Sequence, residues 1–137
     1  MKRGALHHLD LTVKDVAVSR PFYEAVLGFM GYVVSDVDGI GFDMDLRRDG
    51  EFITAVGILR ARGENAARQH DRYSPGLHHI AWNAESRTDV DALYALLLNI
   101  GATILDPPAE YPRYGLGYYA VFFADPDGLK LEYVFKP

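Results

Sequence analysis

The 137-residue chain contains no cysteine. That excludes a disulfide framework, a thiolate-bound zinc and a cysteine nucleophile, so any metal must be held by histidine, carboxylate or water. Long apolar runs are absent too. None approaches the roughly 18 residues that a membrane span needs, and Met1-Lys2-Arg3-Gly4 leads into a strand-like segment without an apolar leader core. The expectation is a cytoplasmic protein with no membrane partner. Positive charge is in short supply, with 14 Lys and Arg against 19 Asp and Glu for a net −5. This disfavours a nucleic-acid partner, whose binding rests mainly on phosphate neutralisation. The one basic stretch, Arg60-Ala61-Arg62 through Arg68 and Arg72, is interrupted by Glu64 and Asp71 and reads as a solvated linker. What remains is an ordinary globular balance, 49% hydrophobic and 24% charged, of a size that suits one domain over residues 1–137.

Within that domain the sequence repeats itself. Leu6-His7-His8-Leu9 near the start recurs as Leu77-His78-His79-Ile80 just past the midpoint. Leu9, Leu11 and Val13 alternate with His8, Asp10 and Thr12 in the first copy, and Ile80 and Trp82 alternate with His79, Ala81 and Asn83 in the second. A period of two marks half-buried strands. A helix follows each. Ser19 is the expected cap of the first, with Pro21 in its first turn, Phe22, Ala25, Val26 and Phe29 on one side, and Gly28 and Gly31 ending it. Thr88 with Asp91 suggests a capping box for the second, with Val90, Leu93 and Leu97 on its apolar face and Gly101 at its end.

Strand candidates follow at 32–35, 41–46 and 52–59 in the first half and at 102–105, 118–124 and 129–135 in the second. Asp49-Gly50 and Asp125-Pro126-Asp127-Gly128 supply the turns before the last strand of each half. The expected architecture is α+β: two βαβββ modules at about 5–59 and 76–136, joined by a linker at about 60–75 and forming an open, barrel-like cup. Alternation would put His8, His79 and Glu132 on the cup side, since Leu131, Tyr133 and Phe135 are the apolar partners in the strand of Glu132.

Two imidazoles and one carboxylate, with positions left for water or substrate, suit one divalent Fe, Mn, Ni, Co or Zn ion. A histidine at a strand start taken alone is more often a surface or packing residue, and a late glutamate a solvated charge. The paired histidines at equivalent points of a repeat, and Glu132 interrupting the apolar run 129–135, favour the metal.

The segments His8-Leu9-Asp10-Leu11-Thr12-Val13, Ser19 to Phe29, Gly76-Leu77-His78-His79-Ile80-Ala81 and Phe123-Ala124-Asp125-Pro126-Asp127-Gly128-Leu129-Lys130-Leu131-Glu132 resemble the vicinal oxygen chelate superfamily of glyoxalases, bleomycin-resistance proteins and extradiol dioxygenases. The resemblance covers nearly the whole chain, and the closing motif is its most specific part. It implies that the second histidine of each pair is the ligand, leaving His7 and His78 on the opposite face. It also implies a homodimer acting on a small-molecule substrate with two neighbouring oxygens.

Family glyoxalases add a glutamate or glutamine on the last strand of the first half. Aligning Gly50 with Gly128 puts Thr54 opposite Glu132, and Ala55, Val56 and Gly57 offer no carboxylate either, while Glu51 stands at the turn. The missing acid departs from the lactoylglutathione lyase pattern. A set of two histidines and one glutamate is similar to the extradiol dioxygenases, with Fe(II), and the fosfomycin-modifying enzymes, with Mn(II). Glu132 and Tyr119 are the expected catalytic groups; Tyr114, Arg113 and Tyr133 are expected to bind substrate. Tyr118 reads as a plain strand residue. The alternative is a metal-free, drug-binding protein of the bleomycin-resistance kind.

Overall fold

The computed structural model describes residues 2–137. The chain forms two compact units, one running up to Arg68 and the other Gln69–Pro137. The boundary falls inside the Arg-rich stretch.

The first unit contains β1 (His8–Val13), α1 (Val16–Phe29), β2 (Val33–Val37), β3 (Gly41–Arg48) and β4 (Glu51–Arg60). The second contains β5 (His79–Asn83), α2 (Arg87–Asn99), β6 (Thr103–Glu110), a short 3-10 turn at Pro112–Tyr114, β7 (Tyr119–Ala124) and β8 (Lys130–Phe135). Each unit is one four-stranded sheet, ordered β1-β4-β3-β2 in the first and β5-β8-β7-β6 in the second. The first strand pairs parallel with the fourth and the other pairings are antiparallel. The α+β class and the twofold βαβββ pattern are therefore as expected. Among the described residues no helix is long and apolar enough to cross a membrane.

The helix starts differ from the expectation. Asp15, not Ser19, caps α1, its Oδ1 accepting the Ala17 N–H at 2.9 Å. Pro21 consequently lies inside the helix, and Ser19 is buried with no hydrogen-bond partner for its hydroxyl among the described residues. Ser86, not Thr88, caps α2: its Oγ accepts the Asp89 N–H at 3.0 Å, while Asp89 Oδ2 accepts the Glu85 N–H at 2.9 Å. In both cases the cap is the extended residue just before the first turn, Asp15 or Ser86, from which a short side chain reaches an orphan N–H of that turn.

The helix ends repeat closely. Tyr32 N–H bonds Leu27 O in the first unit and Ala102 N–H bonds Leu97 O in the second, across Gly31 (φ 100°) and Gly101 (φ 70°). This is the Schellman closure, and only glycine takes the left-handed C′ position without strain.

One face of each sheet packs on its helix. Val13, Val56 and Ile58 meet the layer of Tyr23, Val26 and Leu27 in the first unit, and Val121, Phe123 and Leu131 meet that of Val90, Leu93 and Leu97 in the second. Asp49 (φ 51°) and Gly50 (φ 79°) make the two-residue hairpin from β3 to β4. The turn from β7 to β8 is longer. It is built on buried Asp125, whose Oδ1 accepts the N–H groups of Asp127 and Leu129.

The two sides of α2 give a matched test. Leu93→Ala removes a fully buried side chain and is expected to cost about 2–5 kcal/mol in urea unfolding, whereas Leu98→Ala, at a residue 55% exposed, should stay within about 0.5 kcal/mol.

Candidate metal centre

The site in the second unit follows from strand pairing. In the parallel register His79 opposes Lys130 and Ala81 opposes Glu132, while on the other side of β8 Phe122 opposes Glu132 and Ala120 opposes Val134. Opposed residues share a face, so His79, Glu132, Val134, Ala120 and Phe122 lie on the side away from α2.

Glu132 is only 2% exposed. Its Oε1 stands 3.1 Å from His79 Nε2, and its Oε2 accepts the hydroxyl of Tyr118. His79 Nδ1 is 2.7 Å from His78 Nδ1. Beside them Ala120, Phe122 and Val134 form an apolar cluster against which Tyr111 and Tyr118 pack. Tyr111 stacks on Tyr114 at 5.9 Å between centroids and meets Phe122 edge to face at 5.4 Å. Burial first, and the bond to Glu132 second, push the Tyr118 phenol well above its ordinary value, so it is held as a proton donor.

The other tyrosines resolve by alternation. Tyr119 and Tyr133, expected as catalytic and substrate-binding groups, are on the helix side: Tyr119 donates to Asp91 Oδ1 at 2.6 Å and Tyr133 to Asp89 Oδ2 at 2.7 Å, both on α2. Each directly neighbours a residue of the Glu132 face, so it points the other way. The residue that reaches Glu132 is Tyr118, which the sequence reading passed over. Of the expected substrate contacts, Tyr114 joins the aromatic group, 5.3 Å from the Tyr118 ring. Arg113 is engaged with Tyr114 itself, its Nη2 donating to the hydroxyl at 2.6 Å and its guanidinium 4.7 Å over the ring.

In the first unit His8 is exposed on β1, its Nδ1 3.0 Å from His7 Nδ1 and its Nε2 4.0 Å from Asp10 Oδ2. The register also corrects the Thr54 alignment. Ala81, two residues past His79, opposes Glu132; Asp10, two past His8, opposes Gly57. Gly57 is thus the counterpart of Glu132, and Thr54 lies on the other face with its hydroxyl donating to His7 O. Counting from the turn glycine fails because the first hairpin is tight and has a register shift at Leu46/Arg47, while the second has the longer Asp125 turn.

Gly57 carries no ligand, but its bareness has a use. A Cβ there would fall 2.3 Å from Asp10 Oδ1 and 2.9 Å from Asp43 Oδ1, so two carboxylates lean over the space it leaves. Glu51, the other acid near this strand, is tied to Lys2 at 2.8 Å.

Two donors suited to a divalent cation converge within the second unit, namely His79 Nε2 and Glu132 Oε1. The Glu132 carboxyl is removed from water, and its partners are the His79 ring and the Tyr118 hydroxyl. The pair offers one nitrogen and one oxygen donor, two of the three or more protein ligands that a divalent ion usually takes. Among the described residues no group of three or more His, Asp or Glu side chains stands together as a metal site.

Asp43 gives a pH test. Burial foremost, then the charges of Asp10, Asp36, Asp45 and Asp38, raise its carboxyl above the ordinary 3.8. A raised carboxyl stabilises the protonated fold, so stability is lost as pH climbs through the window above 3.8. Asp43→Asn should therefore exceed the wild type in urea midpoint at neutral pH, and the difference should vanish well below pH 3.8.

Comparison with known proteins identifies the family. The sequence profile described as the Glyoxalase/Bleomycin resistance protein/Dioxygenase superfamily matches residues 5–133. The uncharacterized protein YqjT of Bacillus subtilis (strain 168) is 30% identical over 129 residues, covering 94% of this chain and 97% of YqjT. The anthracycline biosynthesis protein DauV of Streptomyces sp. (strain C5) is 35% identical over 130 residues, 91% of this chain but 44% of DauV, so the chain spans less than half of that relative. The crystal structure of a glyoxalase candidate from Bacillus halodurans, 28% identical, matches with a TM-score of 0.81 over 98% of each chain. The chain belongs to the Glyoxalase/Bleomycin resistance protein/Dioxygenase superfamily.

Proposed function

We propose that the protein is a divalent-metal-dependent enzyme of glyoxalase or dioxygenase type that acts on a small molecule with two neighbouring oxygens. The ligands we propose are His79 and Glu132 of the second unit. The observation that carries the reading is the approach of His79 Nε2 to Glu132 Oε1 at 3.1 Å, around a carboxylate removed from water. Family membership adds to it, since a bound divalent ion is common in the superfamily.

When bound, a divalent ion of the Fe, Mn, Ni, Co or Zn group supplies Lewis acidity for the charge that develops on the substrate oxygens. The chain's own part is positional. Glu132 supplies one oxygen as ligand and, in a lyase reaction, the base that takes the substrate proton. His79 supplies a neutral nitrogen. Phe122, Ala120 and Val134 keep water away from that face, which strengthens every electrostatic contact made there. Gly57 in place of a second glutamate leaves proton transfer without the opposed pair of acids of the lactoylglutathione lyase pattern. An oxygenase or transferase chemistry that needs no second acid accommodates that change more readily. The working form we propose is a cytoplasmic homodimer.

A second reading has an observation of its own. Tyr111 and Tyr114, stacked beside Phe122 and Tyr118, offer flat apolar surfaces that suit sequestration of a planar drug without metal.

Elemental analysis of protein purified without chelator separates the two. Stoichiometric metal is expected in the wild type and its loss in His79→Ala and Glu132→Gln. A wild type that neither retains nor takes up Fe, Mn, Ni, Co or Zn would leave the binding protein as the better account.

A further inference from the structure

Tyr118 lies just before β7, at the end of the segment that returns from β6. Its backbone is fixed on both sides, its N–H bonding Gly115 O at 3.2 Å and its carbonyl accepting the Tyr111 N–H at 2.9 Å. Its ring meets Tyr111 nearly perpendicularly, 86° at 6.4 Å, and Tyr114 at 5.3 Å. A phenol so held has little freedom to turn away, and its hydroxyl is spent on Glu132 Oε2.

The two oxygens of Glu132 are thereby given different work. Oε2 accepts from Tyr118, and Oε1 is the one beside His79 Nε2. A carboxylate with both oxygens free can swing about its last torsion or grip a cation with both. With one oxygen engaged by a fixed donor it presents the other alone. Phenylalanine at 118 would pack equally well but would leave a buried carboxylate oxygen with no donor, at the cost of an unsatisfied charged acceptor.

We propose that Tyr118 is a positioning residue that restricts Glu132 to ligation through Oε1, so that a coordination position stays open for the second oxygen of the substrate. Such partners of ligating carboxylates fix the orientation of the ligand and set its affinity. The proposal rests on the metal reading above and concerns only how the glutamate is held.

The test is a titration of Co²⁺ into chelator-stripped protein, read both as a dissociation constant and as the visible d–d bands that report coordination number. Tyr118→Phe is expected to weaken Co²⁺ binding about 10–100-fold. It should also lower the band intensity, as Glu132 turns to grip with both oxygens. Tyr111→Phe, which removes a hydroxyl from the neighbouring ring, should leave both readings as in the wild type. Wild-type affinity and bands in Tyr118→Phe would overturn the proposal and leave the metal reading standing. Weakened affinity with wild-type bands would also overturn it, since Tyr118 would then only pack. A wild type that takes up no Co²⁺ would remove the metal reading, and the role of Tyr118 with it.

Discussion

Parallel pairing of β5 with β8 sets Ala81 against Glu132, and alternation then brings His79 and Glu132 out on the same face. A slip of one residue would turn Glu132 into the layer held by Val90, Leu93 and Leu97 and bring Leu131 and Tyr133 out of it. Moving the carboxylate would therefore mean unpacking half of the core of that unit. The polar site is kept in place by apolar burial on the reverse side of the same strands.

The repeat made much of this visible in the sequence. Recurrence of the His-His pairs, the apolar alternation behind them and the glycines after each helix pointed to two βαβββ units, because each is a local signal carried by a few neighbouring residues. Pairing between strands is a different kind of information. Choosing Tyr118 over Tyr119 requires the β7/β8 register, and that depends on how many residues the Asp125 turn consumes. The same lack of register led from Gly50 to Thr54 rather than to Gly57. Helix starts were misplaced for a related reason, since Asp15 and Ser19, or Ser86 and Thr88, are equally good caps until the path of the preceding chain is known.

The halves have diverged where they face outward from their helices. In the second, the acid stands on β8 and the opposing residue on β5 is the small Ala81. In the first, the acids stand on β1 and β3 and the small residue, Gly57, is on β4. In either arrangement a small residue, Ala81 or Gly57, stands beside the carboxylates of its face. The superfamily fold is preserved through this divergence.

His8 and His79 each open the outermost strand of their sheet, with one hydrogen-bonded neighbour in it. Backbone at the end of an edge strand opens more readily than backbone between two partners. Fraying of β5 would carry His79 away from Glu132 while leaving the buried carboxylate where it is, so the 3.1 Å contact between them also ties the end of that strand to its neighbour. The contact that makes the polar pair is thus also a clasp on the open edge of the sheet.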